Sequence, residues 1–155
     1  MKNVLQLAYL VPLFPLIGFL INGLGRKVLS KSMVGVIGSG TVLASFVVSV
    51  MIFSHFIGNS IATPGPYIAD YFTFISVGEL KINFAFQLDQ LSSIFLLIIT
   101  GVGFLIHVYS TSYMHEEKRE HFGRYFSYLN LFVFSMLLLV MGANYVIMFI
   151  GWEGV

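Results

Sequence analysis

The sequence predicts an all-α polytopic membrane protein with four complete transmembrane helices, the start of a fifth, and one extramembrane β-hairpin between helices 2 and 3. Three observations carry that expectation. Of the 155 residues, 57% are hydrophobic and only 10% are charged, whereas a soluble domain has about 25% charged residues. Uncharged apolar stretches recur that are long enough to cross a hydrocarbon core of about 30 Å. Between the second and third of them lies a stretch of different character, with short β-branched and aromatic runs on either side of a Gly-led turn. Residues 1–155 read as a single membrane domain.

The composition also excludes several functions. A net charge of +1 without a basic stripe gives no basis for nucleic-acid binding. The chain has no cysteine, so it makes no disulfide, has no thiolate chemistry and ligates no iron–sulfur cluster through sulfur. The N-terminus is not expected to be a cleaved signal peptide: Lys2 alone precedes the apolar run, which is too long for an h-region and contains Pro12 and Pro15.

Helix 1 is expected over 4–24, loosened in its first half by Pro12 and Pro15. A membrane helix tolerates this where neighbours satisfy the freed carbonyls. Arg26, Lys27 and Lys31 follow in a short loop. Helix 2, over 33–56, carries Gly35, Gly38, Ser39, Gly40, Ala44, Ser45 and Ser49, small residues that let helix backbones approach closely. Gly58 to Pro66 is turn-rich. The hairpin, over about 70–87, turns at Gly78-Glu79 and pairs Val77/Leu80, Ile75/Ile82, Thr73/Phe84 and Tyr71/Phe86 on one face. The other face pairs Ser76/Lys81, Phe74/Asn83, Phe72/Ala85 and Asp70/Gln87. An isolated hairpin is marginal in water, so it should pack on helix ends or a neighbouring subunit.

Asp89, with Ser92 and Ser93, marks the start of helix 3, expected over 89–110. His107 lies near its far end and has two readings: a snorkelling or hydrogen-bonded residue, or part of a proton path. The polar stretch 110–124 reads as a solvated loop with a Glu120/Arg124 pair. Its His115 and His121 lack the spacing of a metal motif, and no metal site is expected in the chain. Helix 4, over 124–143, carries Asn130, a candidate for a hydrogen bond across a helix interface. Gly142-Ala143-Asn144 makes a tight turn into the fifth helix, 145–155.

The two loops on one side carry Arg26, Lys27, Lys31, Lys118, Arg119 and Arg124, against Lys2 and Lys81 on the other. The bias places the N-terminus and hairpin outside and the basic loops inside. Glu153 then lies about nine residues into helix 5, roughly 13 Å along its axis at 1.5 Å per residue. That is near the middle of the membrane, where a carboxylate needs a cation, water or a proton. Glu153 therefore has two readings: a carboxylate that handles ions or protons, which makes it the first candidate site residue for proton transfer, or merely a polar residue at the chain end.

Three blocks bear on family: LVPLFPLIGFLIN at 10–22, FLIHVYSTSYMHEE at 104–117, and FSYLNLFVFSMLLLVMGANYVIMFIGWEGV at 126–155. Together with FQLDQLS before helix 3, they resemble the large antiporter-like subunits of respiratory complex I, the subunit L and mitochondrial chain 5 family. The GWEGV block resembles that subunit more than its paralogues M and N. Family members are several times longer. The resemblance implies a membrane-arm subunit of proton-translocating NADH–quinone oxidoreductase, with Glu153 matching a glutamate that pairs with a lysine on a later helix. It implies no redox chemistry in this chain, with NADH, FMN, iron–sulfur clusters and quinone bound by other subunits. Implied partners are other membrane-arm subunits, nearest the subunit M homologue, with the remaining helices of its own subunit and the lipid bilayer. The implied location is the inner membrane of a bacterium or its organellar equivalent. Two alternatives remain at this level: a subunit of a related multisubunit cation/proton antiporter, or a non-transporting assembly fragment.

Overall fold

Pro12 and Pro15 shape the first crossing. In the computed structural model, which describes residues 3–58 and 65–155, this crossing is α1 (Asn3–Gln6), a 3-10 turn at Leu7–Tyr9, and α2 (Leu10–Gly25). Proline has no N–H to donate and crowds the carbonyl four residues back, so the helix tightens to 3-10 geometry just before Pro12. Pro15 lies inside α2 and cannot donate to the carbonyl of Val11. Ser45 of the second crossing takes its place, its hydroxyl donating to Val11 O at 2.7 Å. The neighbour thus satisfies the carbonyl that the proline frees.

The second crossing, α3 (Lys31–Gly58), buries Gly35, Gly38, Val42, Ser45, Ser49, Ile52 and Phe56. The steps alternate three and four residues, the spacing of a packing seam that faces neighbouring helices. Lipid is as apolar as a leucine, so close packing of small residues rather than water exclusion holds such a seam. A Cβ added at Gly38 would lie 2.7 Å from Cδ1 of Phe126. The outward positions are exposed apolar residues such as Val36, Val47 and Met51. The predicted connection Gly58 to Pro66 lies mostly outside the described residues.

The hairpin is β1 (Tyr67–Val77) and β2 (Leu80–Leu88), antiparallel. Gly78 turns it at φ 58°, a backbone conformation that glycine enters without steric cost. Val77↔Leu80, Ser76↔Lys81 and Ile75↔Ile82 pair as the two-residue loop requires. Beyond them the expected register is displaced by two irregularities in β1. The ladder continues with Thr73↔Asn83 and Phe72↔Phe84, then with Asp70↔Ala85 and Ala69↔Phe86. Each bulge adds a residue to one strand and bends it, and Phe74 and Tyr71 are the residues left out of the ladder. Tyr71 turns its ring to Tyr9 and Phe86, at centroid separations of 6.1 and 5.4 Å. Burial there, with the nearby Tyr67 phenol second, pushes the Tyr71 hydroxyl up to about 12.

The base of the hairpin is buried at Ala69, Ala85, Phe86 and Leu88, while Val77 and Leu80 at its tip are exposed. It is fastened to the turn before the last helix. Phe86 bridges Gly142, Ala143 N–H donates to Ala85 O at 3.1 Å, and the Asn144 amide donates to Asn83 O at 2.8 Å.

The third crossing, α4 (Gln90–Tyr113), starts at a reciprocal cap. Ser92 N–H donates to Asp89 Oδ1 at 2.6 Å, and Asp89 N–H to Ser92 Oγ at 2.8 Å, which satisfies two amides left free at a helix start. The fourth, α5 (Arg119–Met141), begins several residues before the sequence suggested. Arg119, Glu120 and Arg124 belong to its first turns, where good helix formers extend a membrane helix into water. The solvated loop shrinks to the few residues between α4 and α5. Among the described residues the side-chain contact between acid and base in this region is His121 Nδ1 with Glu117, at 3.5 Å, rather than Glu120 with Arg124. Finally α6 (Tyr145–Gly154) is capped by Asn144, which accepts from Ile147 N–H at 3.1 Å. Four crossings are long and apolar enough to span a membrane, consistent with a polytopic membrane protein.

Candidate functional site: Glu153 and His107

Glycine spacing decides which way Glu153 points. Gly151, Gly154 and the buried Ile147 form the face of α6 that meets α5. A Cβ at Gly151 would lie 2.8 Å from Leu139 Cα and from Ser135 O, and one at Gly154 would meet Ser135. At 100° per residue, Glu153 falls well away from that seam, on the side of Phe149 and Ile150. It is exposed, as are Phe149, Ile150 and Trp152, and the described residues give it no ion pair. The sequence places this glutamate near mid-membrane; within this chain it stands on an open apolar face.

His107 is fully buried within the bundle. Its Nδ1 lies 2.7 Å from Gly103 O. A carbonyl can only accept, so Nδ1 carries the hydrogen and Nε2 is the free lone pair of the neutral ring. The Phe126 ring packs edge-on at 5.9 Å, and the Asn130 side chain lies beside the imidazole. Nε2 is buried with no partner at hydrogen-bond distance and geometry, the Asn130 side chain acting on the ring from just beyond it.

Asn130 belongs to a polar cluster that crosses four helices. Its Oδ1 accepts from Thr41 Oγ1 of α3 at 3.3 Å, the interhelical hydrogen bond foreseen for it, and its amide donates to Phe126 O at 3.1 Å. The amide nitrogens of Asn130 and of Asn22 on α2 each lie 3.2 Å from the point where a Gly38 Cβ would stand. Asn22 Nδ2 donates to Val34 O at 3.3 Å, but its Oδ1 is buried and unpartnered, and so is the Ser39 hydroxyl. Sequence reasoning passed over Asn22 and treated Ser39 as packing. The available signal was an amide inside an otherwise uncharged span, which is costly in lipid unless used.

Glu153 and His107 are not brought together. α4 and α6 both start at the hairpin end, held there by Asp89 and Asn144. His107 is eighteen residues on from Asp89 and Glu153 nine on from Asn144, so they differ in depth by roughly 14 Å. His115 and His121 lie on different elements, and no metal-binding group of side chains occurs among the described residues.

The fold and these groups define a polytopic membrane protein carrying ionisable side chains on or within apolar helices. A family model described as NADH-ubiquinone oxidoreductase (complex I), chain 5 N-terminus matches residues 74–126. NADH-quinone oxidoreductase subunit L of Escherichia coli (strain K12) is 40% identical over 143 residues, 92% of this chain and 22% of that protein. The subunit L of Pseudomonas aeruginosa is 38% identical over 154 residues, 99% of this chain and 24% of that protein. That of Mycobacterium tuberculosis (strain ATCC 25618 / H37Rv) is 44% identical over 119 residues, 77% of this chain and 18% of that protein. This chain belongs to the subunit L family of NADH-quinone oxidoreductase, the antiporter-like subunits of complex I. It spans about a quarter or less of the length of the curated relatives it matches.

Proposed function

We propose that this chain contributes to proton translocation in the membrane arm of NADH–quinone oxidoreductase, with Glu153 as its proton-exchanging carboxylate. The observation that carries the reading is the placement of Glu153. It is a carboxylate about nine residues into an apolar helix, on the face that α5 leaves open. A charge at that depth is costly against lipid, so the open face of α6 is to be covered by protein, from further helices of the same subunit or from a neighbouring one. A cation brought close would hold the carboxylate ionised, and its withdrawal from a desolvated site would favour the protonated form.

In this reading the redox cofactors belong to other subunits, and the partners are the other membrane-arm subunits, with the subunit M homologue nearest. The chain sits in the inner membrane of a bacterium, its N-terminus and hairpin outside. Glu153→Gln, made in the complete assembled complex, tests the role. Proton translocation per NADH oxidised should fall severely, and Glu153→Asp should recover part of it. Full pumping by the glutamine variant would remove Glu153 from the path.

A further inference from the structure

Three buried polar atoms without partners lie on three different helices: Asn22 Oδ1 on α2, Ser39 Oγ on α3 and His107 Nε2 on α4. Unpaired polar atoms in a packed interior are rare, and each calls for an explanation. In a membrane the cost is higher still, because no bulk solvent competes for the group. Gly38, next to Ser39, is the common floor against which the amides of Asn22 and Asn130 and the ring of Phe126 pack. Phe126 and Asn130 are in turn the α5 residues beside His107. Gly35 meets Thr111 and Gly103 meets Val42 across the α3–α4 contact, so Ser39 and His107 lie at one level of the bundle.

Of these three residues, Ser39 borders a large cavity. The cavity, of about 550 Å³, opens between α3 and α4, lined among others by Lys31, Ser32, Ser39, Thr111 and His115. Its lining reaches the charged end of the bundle, where Lys31 Nζ donates to His115 O at 2.8 Å, and takes in Val36 and Val108, which are exposed on the flank. Its inner wall is Ser39, eight residues along α3 from Lys31 and so roughly 12 Å deep. A water occupies about 30 Å³ of liquid and needs two to four polar partners. The cavity has room for several waters, and the cluster behind Ser39 has the unfilled partners. No carboxylate among the described residues lines it, so it suits water and not a bare metal ion.

We propose that this cavity is the mouth of a water-filled inlet that passes Ser39 and ends at His107 Nε2, and that His107 takes up a proton from it. The proposal rests on the reading of the chain as a proton-handling subunit, but it names a site separate from Glu153. In the step, an O–H bond of a protonated water breaks and an Nε2–H bond forms. The lone pair comes from the ring, and the Nδ1–H stays on Gly103 O, so the imidazolium is held in place. Gly103 on its own helix and Asn130 and Phe126 on α5 are the groups that face the ring, and no charged group among the described residues acts on it.

The test uses the complete subunit assembled in its membranes. The 155 residues contain no cysteine, so single cysteines can be introduced at Ser32, Ser39 and Ser49 and treated with a membrane-impermeant, positively charged methanethiosulfonate. Reagent on the side of the Lys31 and His115 loops should modify Ser32→Cys and Ser39→Cys. Ser49→Cys, in the dry part of the same seam, should react on the order of ten-fold more slowly, because the attacking thiolate forms only where water reaches. Thr111→Cys, on the facing wall, repeats the test should Ser39→Cys fail to assemble. Protection of Ser39→Cys or Thr111→Cys equal to that of Ser49→Cys overturns the inlet, whatever Glu153→Gln does. His107→Gln should lower protons translocated per NADH oxidised. Labelled cysteines together with full pumping by His107→Gln would overturn the proton step and leave only a hydrated cavity.

Discussion

The carbonyl of Val11 shows how one residue fixes its neighbour's identity. Pro15 removes the amide that would have satisfied it, and Ser45 supplies the replacement at 2.7 Å, in a position fully buried from solvent. Ser45→Ala should therefore destabilise the helix pair by about 1–3 kcal/mol, the cost of leaving a buried acceptor unmade. Pro15→Ala restores a donor within α2. In a double-mutant cycle, read by thermal unfolding in detergent, Ser45→Ala should cost much less in the Pro15→Ala background. Equal costs in both backgrounds would mean that the serine serves packing alone. The need for some donor was legible in the sequence, because a proline inside a span always frees a carbonyl. Which residue supplies it was not, because that depends on how α3 lies against α2. His107 follows the same logic. Its hydrogen bond was among the readings the sequence offered, but the partner, Gly103 O on its own helix, and its burial against α5 depend on how the helices pack.

At the scale of elements, small residues set how closely helices approach, and their spacing tells a seam from an outward face. Gly40 has open space where a Cβ would stand, whereas a Cβ at Gly151 would reach the α5 backbone at Leu139. Gly40→Ala should then be neutral or stabilise α3 by roughly 0.5–1 kcal/mol, since glycine is the poorer helix former. Gly151→Ala should instead push α6 off α5, lowering the thermal midpoint of the assembled subunit and turning Glu153 away from its present direction. Tolerance at Gly151 equal to that at Gly40 would contradict the packing described. The helices themselves were legible, since length and lack of charge suffice for a span. The start of α5 at Arg119 was not, because charged residues just beyond the bilayer continue a helix as readily as they end one. The hairpin's turn and first three pairs follow from Gly78. Its bulges fall at Tyr71 and Phe74; Tyr71 meets the ring of Tyr9, on the first crossing, and no alternation pattern within 67–88 encodes that contact.

Over the whole molecule, the charges sort by end. Lys31 bonds the backbone of His115, and a Cβ at Gly123 would lie 3.0 Å from Arg26, so the loops after α2 and α4 meet at one end of the bundle. Together they carry Arg26, Lys27, Lys31, Lys118, Arg119 and Arg124. The hairpin, with Lys81, is fastened to the α5–α6 turn at the opposite end. Helices insert so that short Lys- and Arg-rich loops stay in the cytoplasm, and six cations against one among the described residues is a strong bias. Lys118→Cys should accordingly react with an impermeant thiol reagent only in inverted vesicles, and Glu79→Cys, at the exposed hairpin tip, only in intact cells. That orientation brings α6 in from outside and opens the Lys31–Ser39 cavity to the cytoplasm, so one pair of labels constrains both candidate groups. Were Glu79→Cys to react from the cytoplasmic side instead, the cavity would open outward and His107 would exchange protons with the opposite compartment.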